Sequence, residues 1–194
     1  MRVIAGVYRS RILKSLAGNA LRPTSDRLRE TLFNVLGDAV NGSRFLDVFA
    51  GTGAIGIEAL SRGASEVVFI ENHGPAAKLI KRNLESLGIK SAAAILPLDA
   101  VRALEKLDAK IKSSSHGFDF IFVDPPYAAS DDYSRVLRFL GASSLLAENC
   151  TVIAEHRRDF ALPEKVGSLY RTRILKQGDA ALSFYHGSNF PPNS

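Results

Sequence analysis

From Arg44 onward the chain alternates two hydrophobic patterns. Short continuous apolar runs, rich in Val, Ile and Phe, mark strands covered on both faces, while apolar residues three and four apart mark helices. Strands are expected at 45–49, 66–71, 92–98, 118–123, 150–155, 169–175 and 180–185, and helices at 54–61, 75–87, about 100–110 and about 132–140. This alternation predicts an α/β fold, a mostly parallel sheet of seven strands with helices on both faces. Only Lys176-Gln177-Gly178-Asp179 separates the last two strands, so they should form an antiparallel hairpin. Before Arg44 the pattern is weaker. Short alternations at 2–5 and 11–16 around 6–10 predict a small β-hairpin. A helix with Leu28, Leu32, Phe33, Val35 and Leu36 on its apolar face should follow, capped by Thr24 or Ser25 and ended by Gly37 and Asn41-Gly42.

Composition adds bounds. At 194 residues and 46% hydrophobic content the chain fits one domain. Within it, 1–22 form a basic extension, 23–42 a leading helix and 44–187 the core, with a polar loop at 112–117 and a disordered tail at 188–194. Cys150 is the only cysteine, which excludes a disulfide framework and a cysteine metal site, and it should pack in the strand at 150–155. No signal-peptide pattern opens the chain and no run nears the roughly 20 apolar residues of a membrane span. A soluble, cytoplasmic protein is expected, monomeric and without a membrane partner.

Charge is unevenly placed. Residues 1–44 hold eight Lys or Arg (Arg2, Arg9, Arg11, Lys14, Arg22, Arg27, Arg29, Arg44) against three acids, whereas 45–194 hold seventeen of each sign. The first 22 residues contain no acid. Such a patch suits a polyanion such as RNA or DNA, or is a solvated basic arm.

Two motifs carry candidate chemistry. In Gly117-Phe118-Asp119-Phe120-Ile121-Phe122-Val123-Asp124-Pro125-Pro126-Tyr127 a buried strand is stopped by two prolines, leaving an acid and an aromatic at its carboxyl end. Open α/β sheets bind ligands there, although Asp124 in a stiff turn could also be merely solvated. The second motif, Asp47-Val48-Phe49-Ala50-Gly51-Thr52-Gly53-Ala54-Ile55-Gly56, follows a strand and opens a helix. Glu71 stands twenty residues after Gly51 at the end of the next strand, placed to accept from ribose hydroxyls. Asp47 would repel a pyrophosphate but could favour a cationic amino group and sulfonium. Asp99, ending the third strand, is either a helix N-cap or an acceptor for an adenine amine, and the two are compatible. His73, His116, His156 and His186 lack ligand spacing and read as surface or packing residues, so no metal is expected. Tyr8 on the hairpin is either a stacking platform or ordinary packing.

Together "LDVFAGTGAIGIEALSRGA", Glu71, Asp99 and "DPPY" resemble class I, Rossmann-like S-adenosylmethionine-dependent methyltransferases acting on planar exocyclic nitrogens. "MRVIAGVYRSRIL" and "LRPTSDRLRETLFNVL" narrow the resemblance to the bacterial methyltransferase D family of 16S ribosomal RNA, which modifies a guanine N2 amine. The resemblance runs from residue 1 to about 187. Pro97 and Leu98 stand before Asp99 where the family often has a glycine next to the acid, and Tyr127 stands where Phe also occurs.

The resemblance implies S-adenosylmethionine held by Asp47, Gly51, Gly53, Glu71 and Asp99, with Asp124 beside it. It implies catalysis by Asp124, Pro125 and Tyr127: the carboxylate and the Pro125 carbonyl accept the amine's hydrogens, and Tyr127 stacks on a base drawn out of its helix. RNA in a small-subunit particle would meet Arg2, Arg9, Arg11, Arg22 and Arg27. Thr24 would touch the cofactor or cap its helix, and 128–133, with Asp131 and Asp132, would be a mobile rim of the pocket or a plain loop. Other amino-methyltransferase substrates, DNA adenine N6 or protein glutamine N5, fit less well. DNA enzymes usually carry a recognition domain, and glutamine enzymes have Asn where Asp124 stands. A non-catalytic RNA-binding module would not need Asp124-Pro125-Pro126-Tyr127.

Overall fold

Each of the seven apolar runs expected to be strands forms one. The computed structural model describes residues 1–15, 25–113, 116–126 and 130–187, and contacts divide the chain into two compact units, one ending at Asp99 and the other beginning at Ala100. Arg22, Thr24, Tyr127 and the tail at 188–194 lie outside the described residues.

In the first unit, α1 (Asp26–Leu36) starts at Ser25, whose hydroxyl accepts from the Leu28 N–H at 3.1 Å. Its inner face is Leu28, Leu32, Phe33 and Leu36, followed by a short tighter turn at Gly37–Val40. Then come β1 (Arg44–Val48), α2 (Ala54–Ser61), β2 (Glu66–Ile70), α3 (Gly74–Ser86) and β3 (Ala93–Leu96). The three strands are parallel in the order β3-β2-β1. Their register sets Val48 beside Ile70 and Ile70 beside Leu96, so three carboxyl ends share one edge. Helix α2 packs on β1 and β2 with all eight residues buried, which accounts for its apolar sequence apart from Glu58 and Ser61. Helix α3 is amphipathic and turns Ala76, Ala77, Leu79, Ile80 and Leu84 inward.

The amino-terminal hairpin is narrower than its sequence pattern implies. Among the described residues one antiparallel bridge, Arg2 to Ile12, joins its arms in place of a ladder. The reason is where the backbone donors go. Ile4 and Ala5 N–H donate to the Glu58 carboxylate at 2.8 and 3.0 Å, while Val7 and Tyr8 N–H donate to the Ser61 carbonyl and hydroxyl at 2.8 and 3.0 Å. Groups that a ladder would use are committed to α2.

The second unit contains α4 (Ala100–Ile111), β4 (Phe118–Val123), α5 (Ser130–Leu140), β5 (Leu146–Arg157), β6 (Lys165–Val166), β7 (Leu169–Gln177) and β8 (Ala180–Gly187). Strand β4 runs parallel to β5, and the remaining pairs are antiparallel in the order β4-β5-β8-β7-β6. The expected terminal hairpin is β7–β8.

Eight strands thus occur among the described residues, one more than the pattern predicts. The extra one, β6, has only two residues, too few to show a period. Strand β5 begins at Leu146, earlier than the pattern predicts, because its first residues are partly exposed and polar and the apolar run that marks it starts only at Cys150. Part of the expected rim is helix. Asp131 and Asp132 occupy the first turn of α5, where acids complement the helix dipole. Tyr133 is 2% exposed and its hydroxyl donates to the Glu155 carbonyl at 2.8 Å. Cys150 is buried in β5, as expected. Among the described residues no helix is long and apolar enough to cross a membrane.

Candidate active site

The end of β1 is a glycine turn tied down by two acids. Asp47 is buried, and its Oδ2 accepts from the Gly56 N–H at 2.9 Å. Burial pushes its carboxyl up to about 7; the Gly56 hydrogen bond opposes this and the Glu71 charge adds to it. Gly53 caps α2 in the left-handed region at φ 78°, and a Cβ there would lie 3.2 Å from Ile80. At Gly56 a Cβ would come within 2.3 Å of the Phe69 ring, so glycine is what lets α2 lie this close to β2. Phe49, entering the turn, also has a positive φ of 65°. A bulky residue seldom adopts that conformation, and its strain of about 1–3 kcal/mol marks the turn as over-determined by its surroundings.

Those surroundings include Glu71, just past β2. Its Oε2 accepts from the Gly51 N–H at 2.7 Å and its Oε1 from the His73 N–H at 2.8 Å. One carboxylate therefore clips the glycine turn to the start of α3. Each oxygen can accept about twice, so each keeps one acceptor direction for a ligand. Asp99 follows β3 at the same sheet edge, half-buried, in the position before α4. Asp47, Gly51, Gly53 and Glu71 are thus brought together, with Asp99 on the neighbouring strand end.

This acceptor set fits the adenosyl cofactor that the motifs imply. Ribose hydroxyls are donors and a methionyl amino group is cationic, and both suit carboxylates. A pyrophosphate would face Asp47 and Glu71.

In the second unit, β4 is wholly apolar at its core: Ile121 and Val123 are 0% exposed and Phe122 is 1%. It ends at Asp124, half-buried, then Pro125, buried, and Pro126, exposed. The prolines fix φ at two successive residues and offer no N–H, so the ladder stops here and the carboxylate is delivered at a rigid strand end.

The basic arm presents Arg2, Arg9 and Arg11 to solvent, with Arg27 exposed on α1. Arg11 also donates to the Ser86 carbonyl at 3.3 Å. Tyr8 is half-buried and tied by its backbone to Ser61. Arg29, counted with the basic patch by charge, is instead internal. It is 0% exposed, 3.1 Å from Asp26 and 3.8 Å from Glu58, and donates to the Arg2 carbonyl.

Two further residues organise this region. Glu58, 0% exposed, also accepts from Arg62 Nε at 2.9 Å. Asn83 on α3 accepts from the Lys14 N–H at 2.9 Å and donates to the Lys14 carbonyl at 3.2 Å and the Thr52 carbonyl at 3.1 Å. It therefore joins the arm to the glycine turn. A charge inside an otherwise apolar helix, and an amide at a position of apolar helical spacing, are the signals that mark them. Of the histidines, His156 is buried; burial lowers its pKa, and its Nε2 lies 2.8 Å from the Ser183 hydroxyl.

Comparison with known proteins identifies relatives of the chain. Residues 1–186 match the family described as conserved hypothetical protein 95. The chain is 37% identical over 160 residues to ribosomal RNA small subunit methyltransferase D of Haemophilus influenzae, covering 82% of this chain and 80% of that one. It is 32% identical over 179 residues to the protein of the same name from Escherichia coli K12, covering 91% and 86%. A solved structure from Escherichia coli, described as a methyltransferase, matches with TM-score 0.80 at 30% identity, covering 96% of this chain and 97% of that one.

Proposed function

We infer, from the premise that this chain belongs to the small-subunit ribosomal RNA methyltransferase D family, that it is an S-adenosylmethionine-dependent enzyme methylating a guanine N2 amine in 16S ribosomal RNA. The observation that carries the reading is the end of β4, where a buried strand stops at Asp124 and Pro125. The two compact units work as one methyltransferase domain in this reading.

When bound, S-adenosylmethionine supplies an electrophilic methyl group on a sulfonium. Glu71 accepts from the ribose hydroxyls with its remaining lone pairs, while Gly51 and Gly53 take the positive φ that turns the backbone toward the nucleoside. Asp47 holds the turn through Gly56 and, above about pH 7 where it is ionised, adds negative potential beside a cationic ligand. Asp99 accepts from the adenine amine.

An exocyclic amine is a poor nucleophile because its lone pair is delocalised into the ring. The Asp124 carboxylate and the Pro125 carbonyl each accept one amine hydrogen, which lets the nitrogen pyramidalise and frees that lone pair. Tyr127 stacks on the extruded base and fixes its plane. The rate enhancement comes from positioning and fixed acceptors. Arg2, Arg9, Arg11, Arg22 and Arg27 contact RNA phosphates. The reaction takes place in the cytoplasm on a small-subunit particle, and the protein acts as a monomer.

The test is to incubate labelled cofactor with small ribosomal subunits from a strain lacking the gene, then map the label. One N2-methylated guanine is expected. Label on protein glutamine instead, or none on RNA, overturns the reading.

A further inference from the structure

The arm that carries the excess charge also carries the most exposed large apolar side chains. Among the described residues Val7 and Ile12 are 79% and 80% exposed, against 42% for Tyr170 and 40% for Ile174. Both fall within the first fifteen residues, which hold Arg2, Arg9, Arg11 and Lys14 and no acid.

Their exposure is built into the backbone. Arg2 and Ile12 are directly opposed in the antiparallel bridge, flanked by Leu13 N–H to Met1 carbonyl and Val3 N–H to Arg11 carbonyl, each 3.0 Å. Directly opposed residues project from the same face. Val3 and Leu13, the neighbours that alternate with them, are each 2% exposed, so Arg2 and Ile12 share the outward face. Val7 is held at the turn by its own N–H to the Ser61 carbonyl at 2.8 Å.

An apolar side chain fixed among cations gains nothing from a fully paired duplex, which presents phosphates outward and keeps its base faces stacked. Unpaired nucleotides present base faces beside phosphates, matching the mixture on this arm. We propose that the outward face of residues 1–15 is a docking surface for unpaired nucleotides of the RNA substrate, with bases against Ile12 and Val7 and phosphates against Arg2, Arg9 and Lys14. This rests on the reading of the protein as an RNA methyltransferase and names the form of RNA it grips.

The experiment is fluorescence anisotropy of the full chain with a single-stranded RNA and a blunt, fully paired RNA duplex of equal length, across a salt series. Wild type binds the single strand more tightly. V7S/I12S lowers that affinity about tenfold, leaving the duplex affinity and the salt slope unchanged, and V7L/I12L restores it. R2Q/R9Q instead flattens the slope for the single strand by about 1.4, or 0.7 for each lost phosphate contact. Undiminished single-strand binding by V7S/I12S, or an equal loss on both RNAs, overturns the proposal. So does a V7S/I12S effect confined to self-association or to a protein ligand. Methyl transfer is read separately. The single-strand preference without methyl transfer would leave this surface standing and remove the enzymatic reading, whereas transfer with unimpaired V7S/I12S binding would do the reverse.

Discussion

The chain ends β1 and β4 by different physical means. After β1 the backbone enters a glycine turn that would be free to wander, and hydrogen bonds hold it: Glu71 fixes Gly51, Asp47 fixes Gly56, and Asn83 fixes the Thr52 carbonyl. After β4 the restraint is covalent, in two proline rings. The difference matches what each is proposed to hold. A cofactor that enters and leaves needs close backbone approach, which glycine allows and acids stabilise. An acceptor pair for a small amine needs only a fixed direction.

The largest effect should come from the β4 end. Asp124→Ala should lower methyl transfer roughly 10²–10³-fold, the usual cost of losing one preorganised polar contact to the reacting group, while cofactor binding measured by calorimetry stays close to wild type. Pro125→Ala keeps the carbonyl and loses only stiffness, so kcat should fall less than about tenfold. Equal losses in the two variants would mean that rigidity, and not the carboxylate, governs this end.

At the β1 end the loss should fall on binding. Glu71→Ala leaves the Gly51 and His73 N–H groups without their charged acceptor. Hydrogen bonds to charged groups are worth about 1.5–3 kcal/mol, so cofactor affinity should drop about ten- to a hundredfold by calorimetry. An unchanged affinity would make Glu71 a purely structural clip.

Gly56→Ala tests the close approach itself. A methyl group 2.3 Å from the Phe69 ring should cost about 1–3 kcal/mol in chemical denaturation. A neutral result would mean that α2 can lift from β2 without harm.

The smallest effect is one of pH. Folded Asp47 keeps its proton up to about 7, whereas the unfolded carboxyl loses it near 3.8. Its contribution to stability is therefore full below the unfolded value and is lost as pH rises through about 7. Asp47→Asn retains an acceptor for Gly56 and does not titrate. Its denaturation midpoint should decline less than that of wild type between about pH 5 and about pH 8. Parallel pH profiles would remove Asp47 from the account.

The two strand ends were also unequally readable before the fold was known. Asp124-Pro125-Pro126 and Gly51-Thr52-Gly53 are contiguous, and their meaning depends on a strand that precedes them in the chain. Glu71 was readable because a fixed strand-helix-strand spacing brings it back to the turn. Arg29 was misgrouped because charge alone does not report burial, and its partners include the Glu58 carboxylate, an ion pair at 3.8 Å, and the Arg2 carbonyl, far away in sequence. The strand β6 was missed because two residues carry no period, and the start of β5 because its exposed half resembles a loop.

Local pattern was enough for the order of helices and of every strand but β6, the glycine turn, the acids at the strand ends and the basic arm, because each follows from near neighbours or a regular period. Folding alone decided which polar groups are internal. Asn83 meets Lys14 across 69 positions and Glu58 meets Ile4 across 54. Such pairings arise only when packing excludes water and the buried groups must be satisfied by whatever chain lies nearest.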